Sequence, residues 1–281
     1  METTVKPFLK WAGAKRQLVK VVRRLLPSGG GRFIEPFVGS GVVFMNTGYR
    51  SNLLSDSNRD IISLFSVLKT KQQDFIDRCR RLFTPKNNSE GKFYEFREEF
   101  NACADPERRA SLFVYLNRHC FNGLCRYNKK GKFNTPFGRY DRVYFPAEEM
   151  LVFAKKLQTA TLETMDFRRA LSQAGKSDIV YCDPPYVPLT ATASFTNYAA
   201  AGFTEEDQRD LCKMAEAARN RGAIVAISNH DTAFTRELYK GATKIESLMV
   251  SRTISCDGQN RKKAKELIAV FGETRTQELL L

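Results

Sequence analysis

The sequence predicts an α/β protein with a doubly wound, mainly parallel sheet and one inserted segment. Short apolar runs that are typical of buried strands recur along the chain, with helical patterns between several of them. This alternation stops between Asp60 and about Tyr144, which indicates an insertion into the sheet domain. The predicted strands are Arg32–Phe37, Asn52–Ser55, Thr159–Thr164, Asp178–Cys182, Ala223–Ser228, about Ile245–Arg252 and, as the last edge strand, Lys265–Phe271.

The most informative segment is Asp183-Pro184-Pro185-Tyr186, which directly follows a predicted buried strand. Neither proline has an N–H for the strand ladder, so the strand ends there and the preceding residue is held extended. Asp183 is therefore expected at the carboxyl edge of the sheet, where open α/β sheets bind ligands. An acidic acceptor, the Pro184 carbonyl and the ring of Tyr186 suit a planar base that carries an amino group. The alternative is a plain strand end in which Asp183 only forms a turn.

A second candidate binding loop lies upstream, where Arg32–Gly41 runs from a strand into a tight turn with glycines at Gly39 and Gly41. Glycines there allow the backbone to approach a ligand closely. A third glycine is missing, so this is not the dinucleotide fingerprint. Asp56 ends the next strand, where an acid holds ribose hydroxyls. The pair favours a nucleoside ligand without pyrophosphate, such as S-adenosylmethionine; the alternative is a solvent-facing Asp56.

Composition excludes several classes of protein. The chain has 281 residues, 42% of them hydrophobic, which is enough for a substantial core in one or two domains. No apolar run approaches the roughly twenty residues of a membrane span, and no signal-peptide pattern begins the chain, so a soluble cytoplasmic protein is expected. An odd count of scattered cysteines argues against a disulfide framework. His119, Cys120 and Cys125 lack a second spaced pair, so no metal is expected.

The net charge of +14 favours a polyanion as partner. Ordinary solvated surface is the alternative, but the basic residues concentrate in the segments that carry motifs. Those residues are Lys10, Lys15, Arg16, Arg118, Arg126, Lys129, Lys130, Lys132, Arg139, Arg142, Arg261, Lys262 and Lys263.

Several motifs occur together in an order that resembles one enzyme family. The segments are Phe8–Lys15, Glu35–Gly41, Asn117-Arg118, Asn122–Asn128, Asn134–Tyr140, Asp183–Tyr186, Leu189–Ala193 and Ile227–Asp231. They resemble the Dam family of adenine-N6 DNA methyltransferases, which methylate adenine in GATC. The resemblance covers about residues 6 to 271, and its long loop segments are more specific than the catalytic tetrapeptide.

The resemblance implies a Rossmann-like S-adenosylmethionine-dependent methyltransferase sheet, formed by residues 1–56 and 145–271, with an antiparallel last strand. Residues 57–144 would then be an inserted, mainly helical target-recognition domain, and residues 272–281 a disordered tail. Within the insertion, Phe93–Asn101 and Arg108–Arg118 are amphipathic, and Phe121–Tyr140 predicts a protruding DNA-reading hairpin or loop. The alternative for the insertion is a helical lid that only covers the cofactor.

The family pattern also implies roles in catalysis and cofactor binding. Asp183 and the Pro184 carbonyl would accept hydrogen bonds from the target amine, while Tyr186 stacks on the base. Asp166 would accept from the adenine amine of the cofactor, with Phe167 against the ring. The residues implied to hold S-adenosylmethionine are Trp11, Lys15, Phe37, Gly39, Asp56, Asp166, Phe167 and Asp183.

The implied DNA contacts fall into three groups. Lys10 and Arg126 would each bind a guanine edge, and Leu124 and Pro136 would pack on a thymine methyl. Phe121, where the family carries tyrosine, would fill the gap left by the extruded adenine, beside Asn122. The remaining implied DNA contacts are Arg139, Tyr140, Arg261 and Lys262.

Double-stranded DNA is the expected partner, with no membrane and no metal, and a monomer is expected. Two alternatives stay open from the sequence. One is an N4-cytosine or RNA amino-methyltransferase that uses the same tetrapeptide. The other is a catalytically silent DNA-binding relative, which the intact Asp183 and Tyr186 disfavour.

Overall fold

The computed structural model describes residues 4–11, 18–187, 203–251 and 263–273. The chain divides into two compact units. The first unit comprises residues 1–16, 39–46 and 58–164, and the second comprises residues 17–38, 47–57 and 165–281. The disordered tail predicted at 272–281 lies outside the described residues from 274 onward.

Helices and strands alternate along the described chain as predicted. The helices are α1 (Val19–Leu25), α2 (Val42–Met45), α3 (Arg59–Arg80), α4 (Glu90–Ala102), α5 (Pro106–His119), α6 (Ala147–Leu157), α7 (Phe167–Ser172), α8 (Glu205–Asn220) and α9 (Ala233–Leu238). The strands are β1 (Phe33–Glu35), β2 (Asn52–Asp56), β3 (Ala160–Thr164), β4 (Ile179–Cys182), β5 (Ile224–His230), β6 (Lys244–Ser251) and β7 (Lys263–Phe271).

Six strands of the second unit form a sheet in the order β2-β1-β4-β5-β7-β6. The four strands β2, β1, β4 and β5 run parallel, with Ile34 of β1 opposite both Leu53 and Val180. β1 and β4 are buried along their whole length, because helices such as α7 and α8 pack on the sheet. The predicted α/β fold with a mainly parallel sheet is confirmed.

The predicted edge position of the last strand is wrong. β7 lies between β5 and β6, and it is antiparallel to both. The physical reason is visible in burial: Leu267–Phe271 is an unbroken apolar run that is almost fully buried, whereas Met249 of β6 is 59% exposed. A strand that is apolar on both faces belongs inside a sheet, and β6 is the strand that ends this side. The antiparallel direction of β7 is as predicted.

Helices dominate the first unit. α3 packs against α5 and α6, and α4 packs against α5. α4 and α5 confirm the two helices predicted in the insertion. Their starts follow from capping, because the Ser89 side chain accepts from Lys92 N and the Asp105 side chain accepts from Arg108 N. α3 is interrupted at Gln72, which has φ +43°.

The segment from Phe121 to Tyr140 is a folded-back loop without continuous strands. Two isolated antiparallel bridges join Cys120 to Phe137 and Tyr127 to Phe133. The tip is a turn in which Asn128 N donates to Lys132 O at 2.9 Å. The predicted hairpin or loop is therefore present as a hairpin-like loop that depends on few backbone pairs.

Some features are absent from the described ranges. No helix there is both long and apolar enough to cross a membrane. In the same ranges, no group of three or more His, Cys, Asp or Glu side chains could hold a metal ion. The six described cysteines are free thiols, and Cys256 lies outside the described residues.

One buried carboxylate, Asp60, connects the loop from Phe121 to Tyr140 with the helices of the first unit. Asp60, 6% exposed, accepts from Arg109 Nε at 2.7 Å and from Arg109 Nη2 at 3.0 Å. The Tyr127 hydroxyl donates to the same carboxylate at 2.7 Å. Burial, followed by the charge of Asp60, raises the pKa of Tyr127, so this phenol stays a hydrogen-bond donor.

Asp60→Ala should lower the free energy of unfolding by about 3–5 kcal/mol, because it leaves the Arg109 guanidinium buried without its carboxylate. Urea denaturation followed by circular dichroism measures this loss. The matched control is Glu95→Ala, which removes an exposed ion pair with Lys92 and should cost at most about 1 kcal/mol. Equal, small losses in both variants would contradict the structural role of Asp60.

Candidate active site

Asp183 lies one residue beyond β4, where the prolines end the strand. β4 and β5 pair in register up to Cys182 and Ile227. The next residues are Asp183 and Ser228, and here the Ser228 hydroxyl donates to Asp183 Oδ1 at 2.8 Å. Among the described residues, none donates a hydrogen bond to the Pro184 carbonyl. The backbone ladder thus gives way to a side-chain hydrogen bond at the predicted catalytic carboxylate.

The ring of Tyr186 is held by a cross-strand pair. Its hydroxyl donates to Glu266 Oε2 at 3.2 Å, and its ring lies edge-on to His230 with centroids 4.9 Å apart. His230 of β5 and Glu266 of β7 are direct partners in the sheet. Burial, followed by the charge of Asp183, raises the pKa of Tyr186. The ring therefore stays neutral and can present a stacking surface.

Side chains from α8 and β5 hold the backbone around this turn. Gln208 Nε2 donates to Pro185 O at 2.7 Å, and Gln208 Oε1 accepts from Asn229 Nδ2 at 3.0 Å. Asn229 Oδ1 accepts from Val187 N at 3.2 Å, and His230 Nδ1 lies 2.6 Å from Val187 O. Prolines have no N–H to donate to a neighbouring strand. Hydrogen bonds from these side chains therefore hold the backbone of the turn in place of strand pairing.

An aromatic cleft opens beside the ends of the strands of the second unit. Phe37 and Phe167 are stacked with centroids 5.5 Å apart, and Phe203 contacts both rings. The cleft has a volume of about 180 Å³ and is lined by Pro36, Phe37, Ser57, Asp166, Phe167, Phe203 and Asp207. Flat aromatic faces with carboxylates at the rim fit an adenine ring with an exocyclic amine.

Asp166 lies in the wall of this cleft but also caps a helix. Its Oδ1 accepts from Arg168 N at 2.8 Å, which begins α7. Arg168 in turn forms ion pairs with Asp207 at 2.6 Å and Asp210 at 2.7 Å. The predicted contact between Asp166 and the cofactor amine stays a prediction, since the observed role of the carboxylate is capping.

Asp56 is the last residue of β2, as predicted from the sequence. Its carbonyl accepts from Met165 N at 3.3 Å, which anchors the end of β2 in the second unit. The next residue, Ser57, lines the aromatic cleft. This position fits the ribose of a nucleoside whose base occupies the cleft, and the predicted ribose contact of Asp56 stays a prediction.

Trp11 and Gly39, both predicted to hold the cofactor, meet in the first unit. Gly39 has φ +47°, and a Cβ added there would lie 2.6 Å from Trp11 Nε1. The indole therefore covers the turn, and only glycine fits beneath it. Lys15, predicted nearby, lies outside the described residues.

Lys10 is fixed inside the first unit more tightly than the sequence suggests. Asn117 accepts from Lys10 N at 2.9 Å and donates to Lys10 O at 2.7 Å. The ammonium lies 3.9 Å from the ring centroid of Tyr140 and donates to Arg118 O at 3.2 Å. Burial, followed by the charge of Arg118, lowers the pKa of Lys10. A Cβ on Gly123 would lie 2.2 Å from Lys10 Cβ, so the chain needs glycine there.

The turn at Phe121 presents an exposed aromatic ring, as a wedge requires. Phe121 is 45% exposed, while its N–H donates to Pro136 O at 2.9 Å. The next residue, Asn122, adopts φ +52°, and its N–H donates to the Tyr140 hydroxyl at 2.9 Å. Tyr140, predicted as a DNA contact, therefore also stabilises this turn.

Arg126 is exposed and oriented by one neighbour. Its Nε donates to Asn134 Oδ1 at 2.9 Å, and its Nη2 donates to Asn134 O at 3.2 Å. Leu124 is half-buried and Pro136 is exposed on the same loop. Arg139 is 78% exposed, and its Nη2 lies 3.6 Å from Glu90 Oε2. Breaking such an exposed ion pair costs little free energy. Arg261 and Lys262 lie outside the described residues, so their predicted phosphate contacts are untested.

Several residues that shape the site are not predicted from the sequence. Ser228, Asn229 and His230 stand in a motif of the resemblance, but no role follows from spacing alone. One feature of the sequence could have indicated them: the apolar strand β5 ends in three consecutive polar residues. The other missed residues are Phe203, Asp207, Gln208 and Glu266.

Two similar curated relatives are both DNA adenine methylases. The chain is 48% identical over 264 residues to the DNA adenine methylase of Salmonella typhi, and 47% identical to that of Escherichia coli strain K12. In both cases the match covers 94% of this chain and 94% of the relative. A solved human methyltransferase 10 domain containing protein is 12% identical, covers 92% of this chain and 81% of its own, and gives a TM-score of 0.43, so the assignment depends on the sequence relatives.

The family described as "D12 class N6 adenine-specific DNA methyltransferase" matches residues 11–254. This span includes the described turn at Asp183, the aromatic cleft and the loop from Phe121 to Tyr140. The chain therefore belongs to the D12 class of N6 adenine-specific DNA methyltransferases.

Proposed function

We propose that this enzyme methylates N6 of an adenine within GATC, in double-stranded DNA, after that adenine has left the base stack. The observation that carries the proposal is the Asp183 carboxylate, held by Ser228 at the end of β4. The names of the bacterial relatives, DNA adenine methylase, support adenine as the base. The DNA substrate favours a cytoplasmic location, and a monomer remains the expected form.

S-adenosylmethionine is the methyl donor of this class, and when bound it supplies a methyl group activated by a sulfonium. The amine of adenine is a weak nucleophile, because its lone pair is delocalised into the ring. Asp183 and the Pro184 carbonyl accept from the two N–H groups and so draw the nitrogen toward a tetrahedral form. Tyr186 stacks on the base and fixes its plane.

The residues present fit the cofactor on two observations. The aromatic cleft of Phe37, Phe167 and Phe203 suits its adenine, with Asp56 at the end of β2 for the ribose. Trp11 packs its indole against Gly39, so two residues that are predicted to hold the cofactor lie together. The cofactor contact of each of these residues is part of the proposal.

The loop of the first unit supplies the proposed reading of DNA. Arg126 would bind one guanine through O6 and N7, and Lys10 a second guanine. Leu124 and Pro136 would pack on a thymine methyl. Phe121 would stack in the space that the extruded adenine leaves.

The direct test uses purified protein, S-adenosylmethionine and unmethylated plasmid DNA. Restriction enzymes that distinguish methylated from unmethylated GATC should report modification at GATC sites. Mass spectrometry of the nucleosides should find N6-methyladenine. Methyl transfer to N4 of cytosine or to RNA would support the alternative amino-methyltransferase, and binding without transfer would support a silent relative.

Asp183→Ala should lower the rate of methyl transfer at least about a hundredfold, comparable to removing one preorganised transition-state contact. Single-turnover transfer of a labelled methyl group measures this rate, and the melting temperature checks the fold. Asp74→Ala, an exposed carboxylate of α3, is the control and should be silent. A near-normal rate for Asp183→Ala would refute its catalytic role.

Arg126→Ala should relax discrimination at one guanine position by about 1–3 kcal/mol, since the bidentate contact is lost. Rates on duplexes with single substitutions in GATC measure this preference. Lys130→Ala, an exposed cation of the same loop, should instead weaken binding to all DNA alike and reduce the salt dependence. If Arg126→Ala behaves like Lys130→Ala, Arg126 contacts phosphate and not a base.

Phe121→Ala should impair methylation, whereas Phe121→Tyr should be nearly silent because it keeps the stacking face, worth about 1–3 kcal/mol. The fluorescence of 2-aminopurine at the target position measures base extrusion. A mismatch opposite the target lowers the cost of extrusion and should partly rescue Phe121→Ala. Val152→Ala, with a similarly exposed apolar side chain at 46%, is the control. Wild-type signal and rate in Phe121→Ala would exclude the wedge.

A further inference from the structure

Three side chains at the end of β4 and β5 form a chain of hydroxyls that ends on Asp183. The Tyr181 hydroxyl lies 3.0 Å from Ser228 Oγ, and Ser228 Oγ lies 2.8 Å from Asp183 Oδ1. Tyr181 and Asp183 are two residues apart, so they face the same side of the strand. Ser228 lies across from Asp183, one step beyond the last backbone pair. Tyr181 and Ser228 are fully buried.

The chemistry of the three groups fixes the direction of their hydrogen bonds. An ionised carboxylate can only accept, so the single hydrogen of Ser228 points to Asp183. The competing acceptor, Cys182 O, is farther away at 3.4 Å. Ser228 Oγ then accepts from Tyr181, whose hydroxyl is the donor, and the Tyr186 hydroxyl is a second neighbour of Ser228. Burial, followed by the charge of Asp183, raises the pKa of Tyr181 well above its ordinary value, so this donor keeps its hydrogen.

We propose that Tyr181 and Ser228 form a two-step hydrogen-bond relay that positions the Asp183 carboxylate for the target amine. Ser228 is the positioning residue, and Tyr181 supports it by aligning its hydroxyl. The inference rests on the proposed catalytic role of Asp183. It assigns a function to two residues that neither the tetrapeptide nor the cofactor cleft explains.

Asp183 needs such a relay because of where it lies. The prolines remove the backbone donors that follow it, and the Ser228 hydroxyl, across the sheet, donates to its carboxylate. Its surroundings are also acidic: Glu35 of β1 and Glu266 of β7 both act electrostatically on Tyr181, together with Asp183. Like charges disfavour an ionised carboxylate, and a hydrogen bond from Ser228 opposes that effect.

Ser228→Ala should lower the single-turnover rate of methyl transfer by about 10- to 100-fold, by analogy with the loss of outer partners that orient metal ligands. Ser228→Thr keeps the hydroxyl and should stay within about threefold of wild type, since β-branched residues suit strands. Tyr181→Phe should lower the rate roughly 3- to 10-fold, the effect of one hydrogen bond. The affinity for S-adenosylmethionine, measured by calorimetry, should be unchanged in all three variants.

The pH dependence of the methyl-transfer rate distinguishes positioning of the Asp183 carboxylate from a purely structural role of Ser228 and Tyr181. Losing a donor to the carboxylate favours its protonated form, so the acid limb of the rate should move to higher pH in Ser228→Ala and less so in Tyr181→Phe. The other titratable groups around Asp183 are Tyr186, Cys182, Glu35 of β1, His230 of β5 and Glu266 of β7. All of them are retained in these variants, so the shift reports on the relay.

The double variant gives the sharpest outcome. In a relay, Tyr181 acts only through Ser228, so the double variant should be no slower than Ser228→Ala by more than about twofold. Multiplying rate losses would overturn the relay, as would a wild-type rate and pH profile in a folded Ser228→Ala. If Ser228→Ala fails to fold, Tyr181→Phe with its pH profile decides alone.

Two controls distinguish failure of the relay from failure of the catalytic proposal. Asp183→Ala is measured in parallel: if it retains activity, the proposed role of Asp183 fails and the relay with it. If Asp183→Ala is inactive while Ser228→Ala and Tyr181→Phe keep wild-type rates, only the relay fails. Ser111→Ala, which removes another buried hydroxyl that bonds to Arg108 O, should leave the rate unchanged.

Discussion

The site depends on one constraint: Pro184 and Pro185 cannot donate to a strand ladder, so β4 has to end at Cys182. The backbone beyond that point needs other partners. Gln208 and Asn229 supply them to the turn, and Ser228 supplies one to Asp183. The two prolines thus place the Asp183 carboxylate at the edge of the sheet. As a result, the conformation of this turn depends on side chains of β5 and α8.

β7 extends this dependence, because it carries Glu266 into contact with Tyr186. The pairing of β7 with β5 brings Glu266 opposite His230. Glu266 accepts a hydrogen bond from the Tyr186 hydroxyl, and His230 packs edge-on against the Tyr186 ring. The contacts of Tyr186 in the candidate active site therefore depend on the sheet register. A slip of one residue would turn Glu266 to the other face and remove one hydrogen-bond partner of the Tyr186 hydroxyl.

Sequence patterns predicted the strands, the helices of the insertion and the end of β4 before the two prolines, because burial and proline chemistry are local. They failed where a property depends on pairing between distant segments. The interior position of β7 follows from competition with β6 for β5, and Ser228 meets Asp183 only through the register of two strands 45 residues apart. Lys10 is predicted from the sequence to bind a guanine edge, but its contacts with Asn117 and Tyr140, which lie more than a hundred residues away, do not follow from any local pattern.

The interior position of β7 also bears on how the chain is made. β6 is hydrogen-bonded to β7, and β7 to β5, so neither β6 nor the far side of β5 has its neighbour until β7 exists. β7 follows both strands in the chain, so β5 and β6 leave the ribosome before the strand that joins them. The edge of β5, with its apolar run, lacks its native neighbour until β7 has been synthesised. The sheet, and with it the hydrogen bond from Tyr186 to Glu266, is therefore completed only after β7 has emerged, and a nascent chain without β7 cannot assemble this site.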